Sequence, residues 1–259
     1  LDDGVEFFGG TVDAKYVVLT GNRDDSLDWA DGWTGRMQHV LVRHNPNDTK
    51  ANRGIEADNQ SGNFTAEPVS KPQIANMTII GNNFDGEDDS EGVLLRAGTA
   101  AELYNFIVTG PQGMGECFEV NSAESVANTQ NGVIVFRNSI LDCDEPTKNS
   151  VDANDNVTLD AQAWFLAQPG NSIGDALLGG YVPAPNSPAL GNGYNVANNV
   201  DAGFDDVDYV GAFDGTTDWT VGWTTGIHAE DDLAACPAGT SEVNSLTGRL
   251  NCELTGDIT

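Results

Sequence analysis

Carboxylates recur at one position of a short repeat near the start of the chain. The repeat consists of a turn residue, an apolar residue, usually a carboxylate and a second apolar residue, and it occurs five times. Glu6, Asp28 and Glu56 hold the carboxylate position in the first three copies, Leu94 replaces it in the fourth, and Glu119 holds it in the fifth. Because alternate side chains of a β-strand point to opposite faces, these five residues would project from one surface.

Carboxylates on neighbouring strands, about 4.8 Å apart, repel one another unless water, a cation or a raised pKa relieves them. Calcium, which binds about six to eight oxygen ligands, is the simplest relief. The sequence therefore predicts a Ca²⁺ site whose ligands come from Glu6, Asp24, Asp25, Asp28, Glu56 and Asp58. The alternative is a solvated acidic face, or carboxylates that accept hydrogen bonds from turn amides.

A second apolar segment follows each copy of the repeat and mostly ends at Gly or Asn. These partner strands are expected at residues 16–19, 39–42, 77–80, 105–108 and 133–136. Unequal repeats of roughly 22 to 38 residues, built from short strands, are typical of solenoids. We therefore predict an all-β fold, a right-handed parallel β-helix (solenoid) with a loop-rich C-terminal extension.

The same alternation assigns the remaining side chains of the first strands to the core. All ten inward positions are apolar. They are Val5 and Phe7, Leu27 and Trp29, Ile55 and Ala57, Val93 and Leu95, and Phe118 and Val120.

The repeat divides the chain into three parts. Residues 1–145 carry the five coils, residues 146–227 form an irregular C-terminal part of the same domain, and residues 228–259 form a tail bracketed by cysteines. Residues 157–166 are expected to begin as a strand and to continue as a short helix capped by Asp160. Residues 209–213 are expected to form a further strand.

The composition is strongly acidic and argues against two classes of partner. The 259 residues include 40 Asp and Glu against 11 Lys and Arg, a formal net charge of −29. Such a field repels nucleic acid and anionic membranes and favours bound cations, although an acidic proteome alone would produce the same bias. No apolar run is long enough for a transmembrane helix.

Four cysteines pair best as two local disulfides, Cys117 with Cys143 and Cys236 with Cys252. A zinc site is disfavoured because there is no CxxC motif and no histidine lies beside a cysteine. Disulfides indicate an oxidising compartment, so the expected location is extracellular or at a bacterial cell surface. Two of the three histidines, His39 and His44, are expected at the surface near strand ends.

Two similar boxes, DWADGWT at residues 28–34 and DWTVGWT at residues 218–224, contain four of the five tryptophans. Aromatic boxes of this kind are more often packing corners than platforms for sugar rings. The alternative is a glycan-binding module that uses an exposed Trp33 or Trp223. A separate acidic cluster at residues 201, 205, 206, 208 and 214 lacks the spacing of an EF-hand loop and is a weaker candidate for a second ion.

Several boxes together suggest a family. DDGVEFFGG at residues 2–10, DDSLDWADGWTG at residues 24–35 and GIEADN at residues 54–59 resemble a group of secreted bacterial β-helix proteins, described as lipoproteins or hypothetical surface proteins. The resemblance implies the β-helix fold and export, and it brings no activity with it. Members of the group normally have further coils before the first of these boxes and end near the second tryptophan box, whereas this sequence starts at the first box and continues to residue 259.

These observations leave three functional hypotheses. The first is a non-enzymatic, secreted, calcium-stabilised β-helix with a structural, cell-surface or filament-forming role. The second is a calcium-dependent polysaccharide lyase or related depolymerase, in which Arg96 would be the base beside the metal. Paired carboxylates also resemble those of polygalacturonase-like glycosidases. The third is the glycan-binding module. An ion pair between Arg96 and Asp58 is the simpler interpretation of that arginine. Arg96 is a catalytic candidate only if the protein is a lyase, and no other catalytic residue is assigned.

Assembly is also expected from the sequence. The chain opens directly into its first coil, and its tail resembles the beginning of another unit. An uncapped coil presents unpaired strand edges. We therefore expect contact either with upstream coils of the same polypeptide or with another copy, head to tail, which would build a filament.

Overall fold

The computed structural model of the 259-residue chain describes residues 3–45, 51–82, 90–110, 115–224, 227, 240–243 and 251–254. Two compact units are present, Leu1–Thr217 and Asp218–Thr259. The first coils contain β1 (Val5–Phe8), β2 (Ala14–Thr20), β3 (Leu27–Ala30), β4 (Arg36–Arg43), β5 (Ile55–Ala57), β6 (Gln73–Ile80), β7 (Val93–Leu95), β8 (Glu102–Thr109), β9 (Glu116–Val120), α1 (Ala123–Gln130), β10 (Val135–Arg137) and β11 (Ile140–Asp142).

The remaining elements follow the coil strands in the chain. They are β12 (Glu145–Lys148), β13 (Ser150–Val151), β14 (Val157–Leu159), α2 (Ala161–Ala167), β15 (Ser172–Ile173), β16 (Leu178–Gly179), β17 (Val182–Pro183), α3 (Val196–Asn199) and, in the second unit, β18 (Thr240–Val243) and β19 (Asn251–Leu254). Among the described helices α1 is the longest, and none is long and apolar enough to cross a membrane.

Two parallel sheets form the first unit. Sheet A has the order β1-β3-β5-β7-β9-β12, and sheet B has the order β15-β11-β8-β6-β4-β2, with β10 also paired to β8. The chain alternates between the sheets, so each strand pairs with strands from the coils before and after it. This confirms the predicted all-β parallel β-helix.

The core lies between the two sheets. The ten apolar residues of sheet A predicted from strand alternation belong to this core or pack against it, and Cys117 of β9 joins them. Eight of them are fully buried, while Val5 and Phe7 of the first coil are partly buried against the same cluster. From sheet B the core receives residues such as Val40, Met77 and Phe106. A single column of apolar side chains therefore fills the interior.

The long strands of sheet B bend in the middle at a residue in the left-handed region. In β4 this residue is His39, with a φ of 58°, and in β8 it is Asn105, with a φ of 59°. The strand register aligns five such residues, which we call the corner ladder: Tyr16, His39, Asn76, Asn105 and Asn138. Asn tolerates this conformation better than most residues, because its side chain bonds locally. The strands β4, β6 and β8 begin three or four residues before the predicted starts at residues 39, 77 and 105, because each strand continues on both sides of its bend residue.

Residues 192–212, which we call the strap, are bound by the corner ladder from outside sheet B. Asn105 donates to the Tyr194 carbonyl (2.9 Å) and accepts from the Tyr194 amide (2.7 Å), and Asn76 donates to the Tyr209 carbonyl (2.8 Å). The prediction of a strand at residues 209–213 is wrong, because these side chains and neighbouring loops satisfy the strap backbone instead of a strand partner.

Two of the three described helices of the first unit, α2 and α1, test the sequence predictions. The predicted strand-to-helix segment is confirmed by β14 and α2, whose N-cap Asp160 accepts a hydrogen bond from the Ala163 amide at 2.9 Å. Phe165 of α2 is fully buried and packs edge-on against Phe136, so the helix extends the core beyond the fifth coil. The sequence does not predict α1, because its few buried residues make no apolar stripe.

Candidate functional site

The outward row of sheet A carries the predicted carboxylates. The strand register aligns Glu6, Asp28, Glu56, Leu94, Glu119 and Lys148. Sequence alternation therefore places the first five of these residues in the row that the structure shows. We call this row the acidic ladder.

A second charged row runs beside the acidic ladder, three residues earlier in each copy of the repeat. Backbone hydrogen bonds between successive coils hold the residues of this row above one another. The Gly4 amide donates to the Asp25 carbonyl, and the Ser26 amide donates to the Arg53 carbonyl. Its members are Asp3, Asp25, Arg53, Glu91 and Glu116. Sequence reasoning missed Arg53, Glu91 and Glu116. Their signal was a charged residue at this offset in all five copies.

Three groups of carboxylates approach closely enough to share a cation. Within each group the nearest oxygens all lie within 4.8 Å of one another. The groups are Asp25 with Asp28 and Glu56, Asp3 with Glu6 and Asp28, and Asp3 with Asp24 and Asp25. Five of the six predicted ligands thus come together with Asp3, whereas Asp58 belongs to none of these groups. Asp3, Asp25 and Asp28 each belong to two of these groups, and Asp28 links the group with Asp25 and Glu56 to the group with Asp3 and Glu6.

Asp25 is the most buried carboxylate of the site, with 5 % of its surface exposed. Its Oδ1 atom accepts a hydrogen bond from the Arg53 amide at 3.0 Å. Burial raises the pKa of Asp25 to about 8, and the negative charge of Glu56 adds to the shift while Arg53 opposes it.

Asp28 is half-buried, and its carboxylate accepts no hydrogen bond from any residue that the structure describes. Burial raises the pKa of Asp28 to about 8, with further contributions from the charges of Glu56 and Glu6. A carboxylate in this position needs a proton or a cation for its charge to be compensated.

Glu56 is held between two arginines. Its Oε1 atom lies 2.7 Å from Nη1 of Arg53, and its Oε2 atom bonds Nη2 of Arg96. Burial raises the pKa of Glu56, although both guanidinium groups oppose the shift. Arg96 also donates from Nε to Oδ1 of Asp58 at 2.7 Å. The structure thus contains the ion pair between Arg96 and Asp58 that the sequence predicts.

The family comparison agrees with this architecture. The sequence model of the pectate-lyase-like β-helix domain matches residues 1–179, which is more than half of the chain. The chain belongs to the pectate-lyase-like β-helix family. No curated protein and no solved structure matches the sequence.

The donor set of this pectate-lyase-like β-helix fits a hard cation. Every candidate ligand in the three groups is a carboxylate oxygen, which is the ligand type that Ca²⁺ prefers. Asp25 and Asp28, whose pKa values burial raises to about 8, share one group with Glu56, whose pKa burial also raises. Asp28 with Asp25, Glu56, Asp3 and Glu6 would therefore hold the ion.

A further group of carboxylates on the same side of the β-helix is already compensated. Oxygens of Glu91, Glu116 and Glu119 approach within 4.8 Å of one another. Lys148 lies 3.2 Å from Glu119 and 3.8 Å from Glu116, and Arg53 donates to Glu91 at 2.7 Å. Burial raises the pKa of Glu91 to about 7, and Arg53 opposes the shift.

The weaker acidic cluster near residue 205 is dispersed among separate partners. Asp205 pairs with Lys15 at 2.6 Å, Asp201 pairs with Arg36, and Asp214 accepts from the Thr217 amide at 2.6 Å. Among the described residues, none of these aspartates belongs to a group of side chains close enough together to share a metal ion. These contacts stabilise loops of the first unit.

The expectation that His39 and His44 lie at the surface is wrong. His39 sits in the middle of β4, stacked on Tyr16 and bonded to Asp205 at 3.2 Å. His44 contacts Ser26 at 3.1 Å, and burial lowers its pKa to about 4. His39 is covered by Asp205 and Tyr209 from a distant part of the chain, whereas His44 is bonded to Ser26 and to the Arg53 carbonyl of neighbouring coils.

The first tryptophan box is a packing corner, as predicted. Trp33 is fully buried, stacks on Phe7 at 4.2 Å between ring centroids, and donates to the Val12 carbonyl at 3.2 Å. The glycan-platform hypothesis therefore rests on Trp223, which is 57 % exposed and stacks on Trp219.

The predicted disulfide between Cys117 and Cys143 is present and links residues 26 positions apart. Cys117 is fully buried next to the core residue Phe118. The second predicted pair lies outside the described residues, because neither the backbone of Cys236 nor the side chain of Cys252 is described.

Proposed function

We propose that this protein is a secreted, calcium-stabilised β-helix with a structural role at a cell surface. The observation that carries the proposal is the approach of carboxylate oxygens of Asp25, Asp28 and Glu56 to within 4.8 Å of one another, where the Asp28 carboxylate accepts no hydrogen bond from the described residues. A divalent cation would compensate the charges that otherwise require protons. The structural disulfide and the resemblance to exported surface proteins support an extracellular location.

Calorimetry on the intact protein tests the proposal. Isothermal titration should show Ca²⁺ binding after chelator treatment, and the melting temperature should rise when Ca²⁺ is added back. Mg²⁺ serves as the comparison ion, because it demands a tighter octahedral site and retains its water. An unchanged melt together with no bound calcium by elemental analysis would reject the proposal.

A second candidate function is that of a calcium-dependent polysaccharide lyase. Membership of the pectate-lyase-like β-helix family is compatible with it. The specific observation in its favour is Arg96, whose side chain is 37 % exposed beside the carboxylate groups. In such a reaction a base removes the proton next to a uronate carboxylate, the C–O bond to the leaving sugar breaks, and a double bond forms. Calcium would acidify that proton by binding the carboxylate.

The pairing of Arg96 disfavours this chemistry relative to the structural role. Burial lowers the pKa of Arg96, but its hydrogen bond to Asp58 and the charges of Glu56 and Asp58 outweigh burial and raise it above the ordinary value. A base must lose its proton to act. Incubation with acidic polysaccharides, followed by ultraviolet absorbance of an unsaturated product, separates the candidates: absorbance that grows with wild type and not with R96K would favour the lyase.

Assembly into a filament is part of the structural proposal. Exposed apolar side chains occur on the first coil, where Phe8 is 68 % exposed and Val12 is 58 % exposed. At the other side of the core, Phe165 of α2 is buried against Phe136. We expect contact through the first coil, with upstream coils or with another copy.

A further inference from the structure

Arg53 connects two groups of carboxylates beside sheet A. One is Asp25 with Asp28 and Glu56, and the other is Glu91 with Glu116 and Glu119. The Arg53 Nη1 atom lies 2.7 Å from Glu56 and 3.8 Å from Asp25, and its Nε atom lies 2.7 Å from Glu91. One guanidinium group therefore compensates charge in both groups.

The fold holds this guanidinium group in place. The Arg53 side chain is 13 % exposed, and the side chains of its partners Glu56 and Glu91 are 11 % and 3 % exposed. The Arg53 amide donates to Asp25 at 3.0 Å, and its carbonyl accepts from the Ser26 amide at 2.9 Å. Because little water reaches these contacts, salt screens them weakly.

Any cation bound by Glu56 must compete with arginine. Both Glu56 oxygens are occupied, one by Arg53 and the other by Arg96. A divalent ion beside Asp25 and Asp28 would also lie close to the positive charge of Arg53 and be repelled by it. The affinity for the ion is therefore set by the balance between carboxylates and arginine, not by the carboxylates alone.

We propose that Arg53 is an internal counter-ion that limits how tightly the carboxylate groups bind calcium. The proposal rests on the calcium site proposed above and adds its regulation by a residue that binds no metal. In the metal-free protein Arg53 replaces part of the charge of the cation at Glu56 and Asp25. It also compensates Glu91, so that with Lys148 beside Glu116 and Glu119 the second group holds no ion of its own.

The experiment compares calcium titrations of wild type, R53Q, R53K and R36Q by isothermal calorimetry, with melting temperatures in chelator and in calcium. R53K keeps the positive charge. Arg36, in β4 of sheet B, is a matched control because it also pairs with two carboxylates, those of Asp13 and Asp201. We expect R53Q to bind Ca²⁺ at least about tenfold more tightly than wild type. We expect R53K and R36Q to stay within about threefold of wild type.

The melting temperatures provide the second readout. R53Q should melt lower than wild type in chelator, because Glu91 and Asp25 lose the positive charge of Arg53 and Glu56 keeps only Arg96. Calcium should restore more of its stability than it adds to wild type. Equal or weaker calcium binding by R53Q than by wild type would overturn the inference while leaving the proposed function intact. Binding by R53Q alone would support the inference and reject calcium as the native ligand. Binding by neither protein would reject both.

Discussion

Asp28 and Glu56 occupy the same register position on the adjacent strands β3 and β5, so two carboxylates project from the same face of sheet A. Glu56 is compensated by two arginines, whereas the Asp28 carboxylate accepts no hydrogen bond from the described residues. The two carboxylates are therefore unequal. Glu56 is positioned before any cation arrives, and Asp28 carries the uncompensated charge that a cation would relieve.

Removing the Asp28 carboxylate should abolish most calcium binding. Asp28 is the one residue common to the groups with Asp25 and Glu56 and with Asp3 and Glu6. We expect D28N to bind Ca²⁺ at least about a hundredfold more weakly than wild type, because the loss of one of few charged ligands removes several kcal/mol of interaction. Isothermal titration measures this, with D208N as a surface control. Unaltered binding by D28N would show that the ion lies elsewhere.

The metal-free protein should lose stability as pH rises from about 4 to about 8. Asp25 and Asp28 have folded pKa values of about 8, raised above the ordinary 3.8, so in this window the folded state binds more protons than the unfolded state. The free energy of unfolding must then fall as pH rises. Melting curves in chelator measure the slope, which should be smaller in D25N/D28N. Equal slopes in the two proteins would contradict the assignment.

Calcium binding should release protons near neutral pH. Asp25 and Asp28 must lose protons to become ligands, and their pKa values of about 8 leave both largely protonated at about pH 6.5. We expect about two protons to be released per ion. Titration in buffers of different ionisation enthalpy counts them, and a buffer-independent enthalpy would be the contrary result.

The disulfide between Cys117 and Cys143 should contribute to stability by restricting the unfolded chain. It closes a loop with a sequence separation of 26 residues, for which about 3 kcal/mol is typical. We expect C117A/C143A to melt roughly 10 °C lower than wild type. Peptide mapping without reductant provides the covalent check. Free thiols in the native protein would contradict the bond.

Asn105 should be essential for binding the strap. It is fully buried, it has a φ of 59°, and it makes two hydrogen bonds to Tyr194. We expect N105A to lose about 2–4 kcal/mol, because the Tyr194 backbone loses its partners and alanine is strained in the left-handed region. N105G removes the hydrogen bonds without the strain and should lose less. Equal losses measured by denaturant unfolding would assign the whole effect to the hydrogen bonds.

Residue order alone determined the coils of sheet A. Each copy of the repeat has two apolar residues two positions apart, and alternate side chains of a strand point to the same side. The first residues of these pairs are Val5, Leu27, Ile55, Val93 and Phe118. The same parity predicted the outward row of Glu6, Asp28 and Glu56 and the pairing of Arg96 with Asp58. These relationships follow from local geometry repeated once per coil, so they needed no knowledge of how distant segments pack.

Only the tertiary structure decided which charges are compensated and which loops cover the strands. The sequence shows a charged residue at position 53, but only the folded structure shows that its guanidinium group contacts Glu56 and Glu91 at once. His39 is buried because Asp205, 166 residues later, is bound against it by the corner ladder and Lys15. Contacts over such separations depend on the path of the strap, and no repeat or periodicity in the sequence encodes that path.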